Sequence, residues 1–185
     1  AGSEFGFNGG FNGVGSQFFK GESAVADTTE VFNFGDVSLV REESAPGTQA
    51  VNFDQVTANL NNLTLGDEYD VLVSGSEETV VSVLGGMDFE GNHAITVTDG
   101  AAMNVAGTTT FVDDAVITVN GGNGSFTAAG NVNLGTGTTT FTFNPDDIVN
   151  ESMDFTLGGF GRNINVSGPL VFESNRDPSQ SNATA

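Results

Sequence analysis

Apolar and polar residues alternate in short runs along most of the chain, the period-2 signature of strands with one buried face. Glu30–Phe34 is the first clear run, and Gly35-Asp36 follows it as a turn. Val37–Glu42 is the next, closed by the breakers Ser44-Ala45-Pro46-Gly47. Ala50–Val56 places Val51 and Phe53 on one face, and Asn59–Gly66 reads as a turn region. Glu68–Ser74, Thr79–Leu84 and His93–Thr98 alternate strongly and end in Gly or Asp-Gly turns. Met103–Val112, Ala115–Val119, Gly124–Leu134 and Thr138–Phe143 continue the pattern, and Met153–Leu157 and Asn163–Phe172 complete it. Helical turns are expected, if anywhere, at Asp54–Asn61 and Asp146–Asn150.

Turn signals recurring every ~8–12 residues predict an all-β domain. The expected fold is an antiparallel Greek-key sandwich, immunoglobulin-like or jelly-roll, over residues 20–175. It is read as one sandwich or as two packed β units divided near Gly85-Gly86. Residues 176–185 form a polar tail, and residues 1–19 an arm in which Gly and Asn interleave with Phe7 and Phe11 and which ends in Phe18-Phe19. Ala1–Phe5 reads either as a vector-derived leader or as a mature terminus. One internal echo stands out: Asn104–Phe111 resembles Asn133–Phe141. Stacked solenoid coils would produce it, and so would a Thr- and Gly-rich composition.

Composition narrows the function. The chain has 185 residues, with 24 acidic against 4 basic ones and a formal net charge of −20. No cationic stripe that neutralises phosphates can be assembled, which excludes nucleic acid as a partner. Such acidity suits a salty or cation-rich medium that screens self-repulsion. Without Cys, neither disulfides nor thiolate chemistry is available. No apolar run reaches the ~18–20 residues that span a bilayer, and no signal peptide is visible.

Asn62-Leu63-Thr64-Leu65-Gly66-Asp67-Glu68-Tyr69 leads into an alternating strand. It resembles the tyrosine corner of fibronectin type III and related immunoglobulin-like domains. That likeness implies a structural role for Tyr69, whose hydroxyl would bond to upstream backbone at a Greek-key crossing. A wider stretch, Phe18 to Gly75, resembles domains of haloarchaeal cell-surface and surface-layer glycoproteins. The matching pieces are Phe19-Lys20-Gly21-Glu22, Val37–Glu42 and Leu65–Tyr69. This resemblance implies an extracellular, cell-surface location.

Catalytic parts are scarce. His93 is the only His and opens a strand, so a structural role is expected. No nucleophile elbow or phosphate loop is present. Lone Lys20 permits a pilin-like bond to an Asn, though an exposed Lys is the ordinary case. Carboxylate pairs occur at Glu42-Glu43, Glu77-Glu78, Asp113-Asp114 and Asp146-Asp147. The last two lie in expected loops, where Asp113, Asp114, Asp146 and Asp147 are candidate oxygen ligands for Ca²⁺. Asn62, Asn123, Asn150, Asn165 and Asn182 carry the Asn-x-Ser/Thr sequon and are candidate glycan acceptors.

These features predict a non-enzymatic, self-assembling surface subunit, with copies of itself as partners. The spaced Phe residues of the arm would fill a neighbour's open sheet edge. The rival expectation is a monomeric adhesin that holds surface glycans through its loops.

Overall fold

The structure, a computed structural model, describes residues 4–7, 11–20, 30–43, 47–75, 79–121, 123–144, 154–159 and 161–174. Among these residues three strands make one coil of chain, and seven coils stack. The first coil holds β1 (Glu4–Phe7), β2 (Phe11–Val14) and β3 (Gln17–Lys20). The second holds β4 (Glu30–Phe34), β5 (Val37–Val40) and β6 (Gln49–Asp54). The third holds β7 (Val56–Leu60), β8 (Leu63–Leu65) and β9 (Tyr69–Ser74), and the fourth β10 (Val80–Val83), β11 (Met87–Phe89) and β12 (His93–Thr98). β13 (Ala102–Val105), β14 (Thr109–Phe111) and β15 (Ala115–Asn120) form the fifth. β16 (Ser125–Ala128), β17 (Val132–Leu134) and β18 (Thr139–Asn144) form the sixth. β19 (Asp154–Leu157), β20 (Ile164–Val166) and β21 (Leu170–Ser174) form the seventh.

Each strand pairs in parallel with its counterpart one coil away, so three seven-stranded parallel sheets enclose one core. This is a β-solenoid, and it overturns the expected antiparallel Greek-key sandwich. The alternating runs are strands, as expected, but alternation reports only which face is buried. It carries no information on the direction of the neighbouring strand. Gly85 and Gly86 lie in the corner between β10 and β11, inside the fourth coil. Residues 56–60, expected to allow a helical turn, are strand β7. The other such segment, residues 146–150, lies outside the described residues, as does the tail from residue 175.

Inward residues form columns along the axis. Val51, Val71, Ile95, Ile117 and Phe141 are successive members of one, all fully buried or nearly so. Valine, Leu, Ile and Met fill much of the middle coils together with stacked Phe89 and Phe111, and further Phe residues cluster toward the two ends. Phe11, Phe19, Phe32, Phe34 and Phe53 interlock at one end, with Phe19 stacked on Phe53 at 5.4 Å. At the other end Phe143 meets Phe155 edge-on at 4.4 Å, and Phe141 stacks on Phe172.

Corners need their own backbone and side-chain bonds, since a parallel ladder leaves them uncovered. Asn62 donates to Asp36 at 2.8 Å across such a corner, and next to it the strand residue Asn59 donates to its register partner Asn33 at 2.9 Å. Gly107 and Gly130 stack at the corners that follow β13 and β16. A Cβ on Gly130 would lie 1.9 Å from the Gly107 carbonyl oxygen, so only glycine lets these corners approach.

Candidate functional site

The third sheet, β3-β6-β9-β12-β15-β18-β21, carries a groove on its outer side, at the strand starts. Its volume is about 570 Å³. Ala94 and Val116 form an apolar floor; they are register partners on β12 and β15 and point away from the core. Gly47 and Thr48, from the segment before β6, stand on one side beside the ion pair of Arg41 with Glu68. Asp70, Asn92 and Asp114 supply polar groups around the floor.

These side chains are held in place by the coil geometry. Asp70 Oδ1 accepts the Ala94 backbone N–H at 2.7 Å. Burial raises the Asp70 carboxyl above its ordinary range, opposed by that N–H and by the nearby His93. Asp114 Oδ1 accepts the Thr138 N–H at 2.6 Å, and Asp67 Oδ1 accepts the Asn92 N–H at 2.9 Å. Each carboxylate therefore ties its own coil to the next.

Beneath the groove lies a buried polar column. Gln49 exchanges two bonds with the Glu42 backbone, at 2.9 and 3.0 Å. Its register partner Tyr69 is fully buried and donates its hydroxyl to the Gly15 carbonyl at 2.6 Å. His93 comes next, with Nδ1 2.5 Å from the Tyr69 carbonyl and Nε2 2.7 Å from the Glu90 carbonyl. Its ring also meets Phe89 edge-on. Its ring nitrogens are engaged with backbone, and the residue works as corner structure.

The candidates raised by the sequence are scattered. Asp113 and Asp114 occupy the exposed corner between β14 and β15, and Asp146 and Asp147 lie outside the described residues. Among the described residues no three His, Cys, Asp or Glu side chains gather as a metal site. Phe11 and Phe19 turn inward against the chain's own core, whereas Phe18 points out. Phe7 is the register partner of Phe34. Tyr69 does bond to upstream backbone, but it ties one coil to another and not the sheets of a sandwich. Lys20 Nζ lies 3.7 Å from Asp54 Oδ2 on the surface.

Among the sequons, the Asn62 amide is committed at a corner: it donates to Asp36 and accepts the Gly86 N–H at 2.7 Å. Asn165 is exposed on β20 and donates to Asn133 at 2.8 Å. Asn123 is exposed between β15 and β16, and Asn150 and Asn182 lie outside the described residues. Sequence reasoning missed the groove. Its floor and walls come from β9, β12 and β15 and from corners many positions apart, and only the coil repeat brings them together. No helix among the described residues is long and apolar enough to cross a membrane. Compared with protein-family models, curated proteins and solved structures, the chain finds no match.

Proposed function

We propose that the protein is an extracellular structural subunit whose copies stack end to end, the seventh coil of one on the first coil of the next. One observation carries this reading: the seventh coil is apolar where it is open. Ile164, Val166 and Phe172 are 46%, 46% and 61% exposed. Their register partners one coil inward, Val132, Leu134 and Phe141, are 0%, 2% and 0% exposed. Water thus meets side chains that occupy core columns, on strands that among the described residues pair on one side only.

A second copy fits because the columns continue across the junction. Ile164 belongs to the column that begins with Phe11, and Phe155 to the one that holds Phe32. Asn165, which bonds Asn133, shares its column with Asn12, so an Asn ladder would run on into the next copy. Head-to-tail contacts of this kind do not close, and they build filaments. Since β1, β2 and β3 already pair with the chain's own second coil, stacking replaces strand donation by the arm as the proposed route.

The charge of −20 opposes association. Assembly should therefore strengthen with salt, as screening shortens the repulsion from ~10 Å at 0.1 M to ~3 Å at 1 M. Sedimentation and electron microscopy across salt concentrations test this. Concentration-dependent fibres that disappear in Phe172→Asp and Ile164→Asp support the reading. A monomer at every salt concentration sinks it.

A further inference from the structure

The acidic residues of this chain avoid the outer face of the third sheet over three successive coils. Thr96 and Thr118 are register partners on β12 and β15, as are Thr98 and Asn120, while Thr142, the next partner on β18, is buried. Ala94, Val116 and Thr140 form the neighbouring outward row. None of these carries charge, on a molecule of net charge −20. Hydroxyl and amide groups therefore repeat at ~4.8 Å across strands and ~6.6 Å along them. The groove opens on this face, and its floor residue Val116 is 42% exposed.

The combination selects a ligand class. An apolar floor with a few convergent polar groups is the usual form of a small-ligand site. Its polar members, Asp70, Asn92, Asp114 and the Arg41–Glu68 pair, offer both donors and acceptors. A polyanion is repelled by the acidic corners on either side. A neutral polyol chain meets no such penalty. Its ring carbons can cover Ala94 and Val116 while its hydroxyls pair with the Thr rows and the groove carboxylates. We infer that this face binds an uncharged glycan chain laid along the solenoid axis, with its sugar rings in the Ala94–Val116 groove. The inference is independent of end-to-end stacking, since the face runs along the side of the rod.

The test is titration calorimetry with cellohexaose, chitohexaose and maltohexaose, with polygalacturonate as the anionic control, and pull-down on cellulose and chitin powders. Binding of at least one neutral glycan is expected, with no binding of polygalacturonate. Val116→Asp and Thr118→Asp should each weaken binding tenfold or more. Asn104→Asp, which places the same charge on the first sheet, should leave it within twofold. Both altered side chains face solvent, and circular dichroism checks that the sheets persist; Thr118→Lys is the second variant if either Asp fails to fold. Absence of binding to all three glycans and both powders overturns the inference. So does equal binding of polygalacturonate, or affinity unchanged in the third-sheet variants.

Discussion

Tyr69 donates its phenolic hydroxyl to the carbonyl of Gly15 at 2.6 Å, across 54 positions of sequence. Tyr69 opens β9 in the third coil, and Gly15 lies in the corner before β3 in the first. The ring therefore spans the second coil, where Gln49 turns aside to bond the Glu42 backbone. Gly15 takes φ of +75°, which suits a residue without Cβ. One hydroxyl thus fixes the first coil to the body of the solenoid.

That bond predicts an alkaline transition. Burial pushes the Tyr69 hydroxyl up to about 12 from 10.0, partly opposed by the Gln17 backbone N–H. A raised folded value means that the neutral phenol favours the fold. Its contribution is complete below pH 10 and is lost as pH rises toward 12. Two units correspond to roughly 2–3 kcal/mol. Tyr69 is the only Tyr and Trp is absent, so phenolate absorbance follows this group alone. Its ionisation should coincide with loss of structure. Tyr69→Phe should lower stability by about 1–2 kcal/mol at neutral pH, from the unpaired Gly15 carbonyl, and abolish the alkaline step. A phenol that ionises near its ordinary value in the folded protein contradicts the bond.

The corners give a second prediction. A Cβ at Gly130 meets the Gly107 carbonyl at 1.9 Å, and one at Gly107 meets the Gly85 carbonyl at 2.3 Å. The obstacle is backbone, which cannot rotate away. Gly130→Ala should therefore destabilise by at least ~1–3 kcal/mol, the usual range for overpacking. Gly66→Ala is the control, since its nearest atom would be 3.6 Å away. It should be neutral or slightly stabilising, by up to ~1 kcal/mol. Urea midpoints of the two variants measure the contrast.

Strand positions were readable because burial alternates so cleanly. Tyr69–Ser74 is buried at every other residue, as its sequence implies. The stacking direction was not readable. Coil partners share burial and not identity: Phe53 aligns with Val73, and Ile117 with Phe141. The spacing also drifts, from 20 positions between Asn52 and Leu72 to 32 between Asn133 and Asn165. The one echo in the sequence crosses coils incorrectly. It equates Thr109 with Thr139, but Thr109 pairs with Val132 and Thr139 with Ala115. What the echo records is a shared corner, in which a buried Thr opens the next strand. Tyr69 was found from its place at a strand start, while its partner Gly15 depends on the coil geometry. The groove shares that dependence, since Arg41, Asp70 and Val116 meet only in the stack.

The two Thr residues yield a third prediction. Thr109 and Thr139 are both fully buried, and neither Oγ1 has a hydrogen-bond partner. An unpaired buried hydroxyl costs about 1–3 kcal/mol, and an apolar group of the same shape removes that cost. Thr109→Val and Thr139→Val should each raise the denaturation midpoint. The two sites belong to different sheets and different coils, so their effects should add in the double variant. A loss of stability in both would mean that the hydroxyls are satisfied.

Asp70 connects the groove to the stability of the fold. Burial raises its carboxyl above the ordinary value of 3.8, while the Ala94 N–H and His93 act in the opposite direction. The protonated form therefore favours folding. That contribution is present below the ordinary carboxylate value and is lost as pH rises through the raised one. At neutral pH the ionised Asp70 is a net cost to the fold. Asp70→Asn keeps an oxygen for the Ala94 N–H and removes the charge. The variant should match or exceed the parent in stability at neutral pH and lose the advantage in acid, where the parent carboxyl is protonated. Urea denaturation at both pH values tests the crossover. The same variant should still stack into fibres, because Asp70 is remote from the open seventh coil. Reduced stability at neutral pH would assign Asp70 a favourable partner that outweighs its burial.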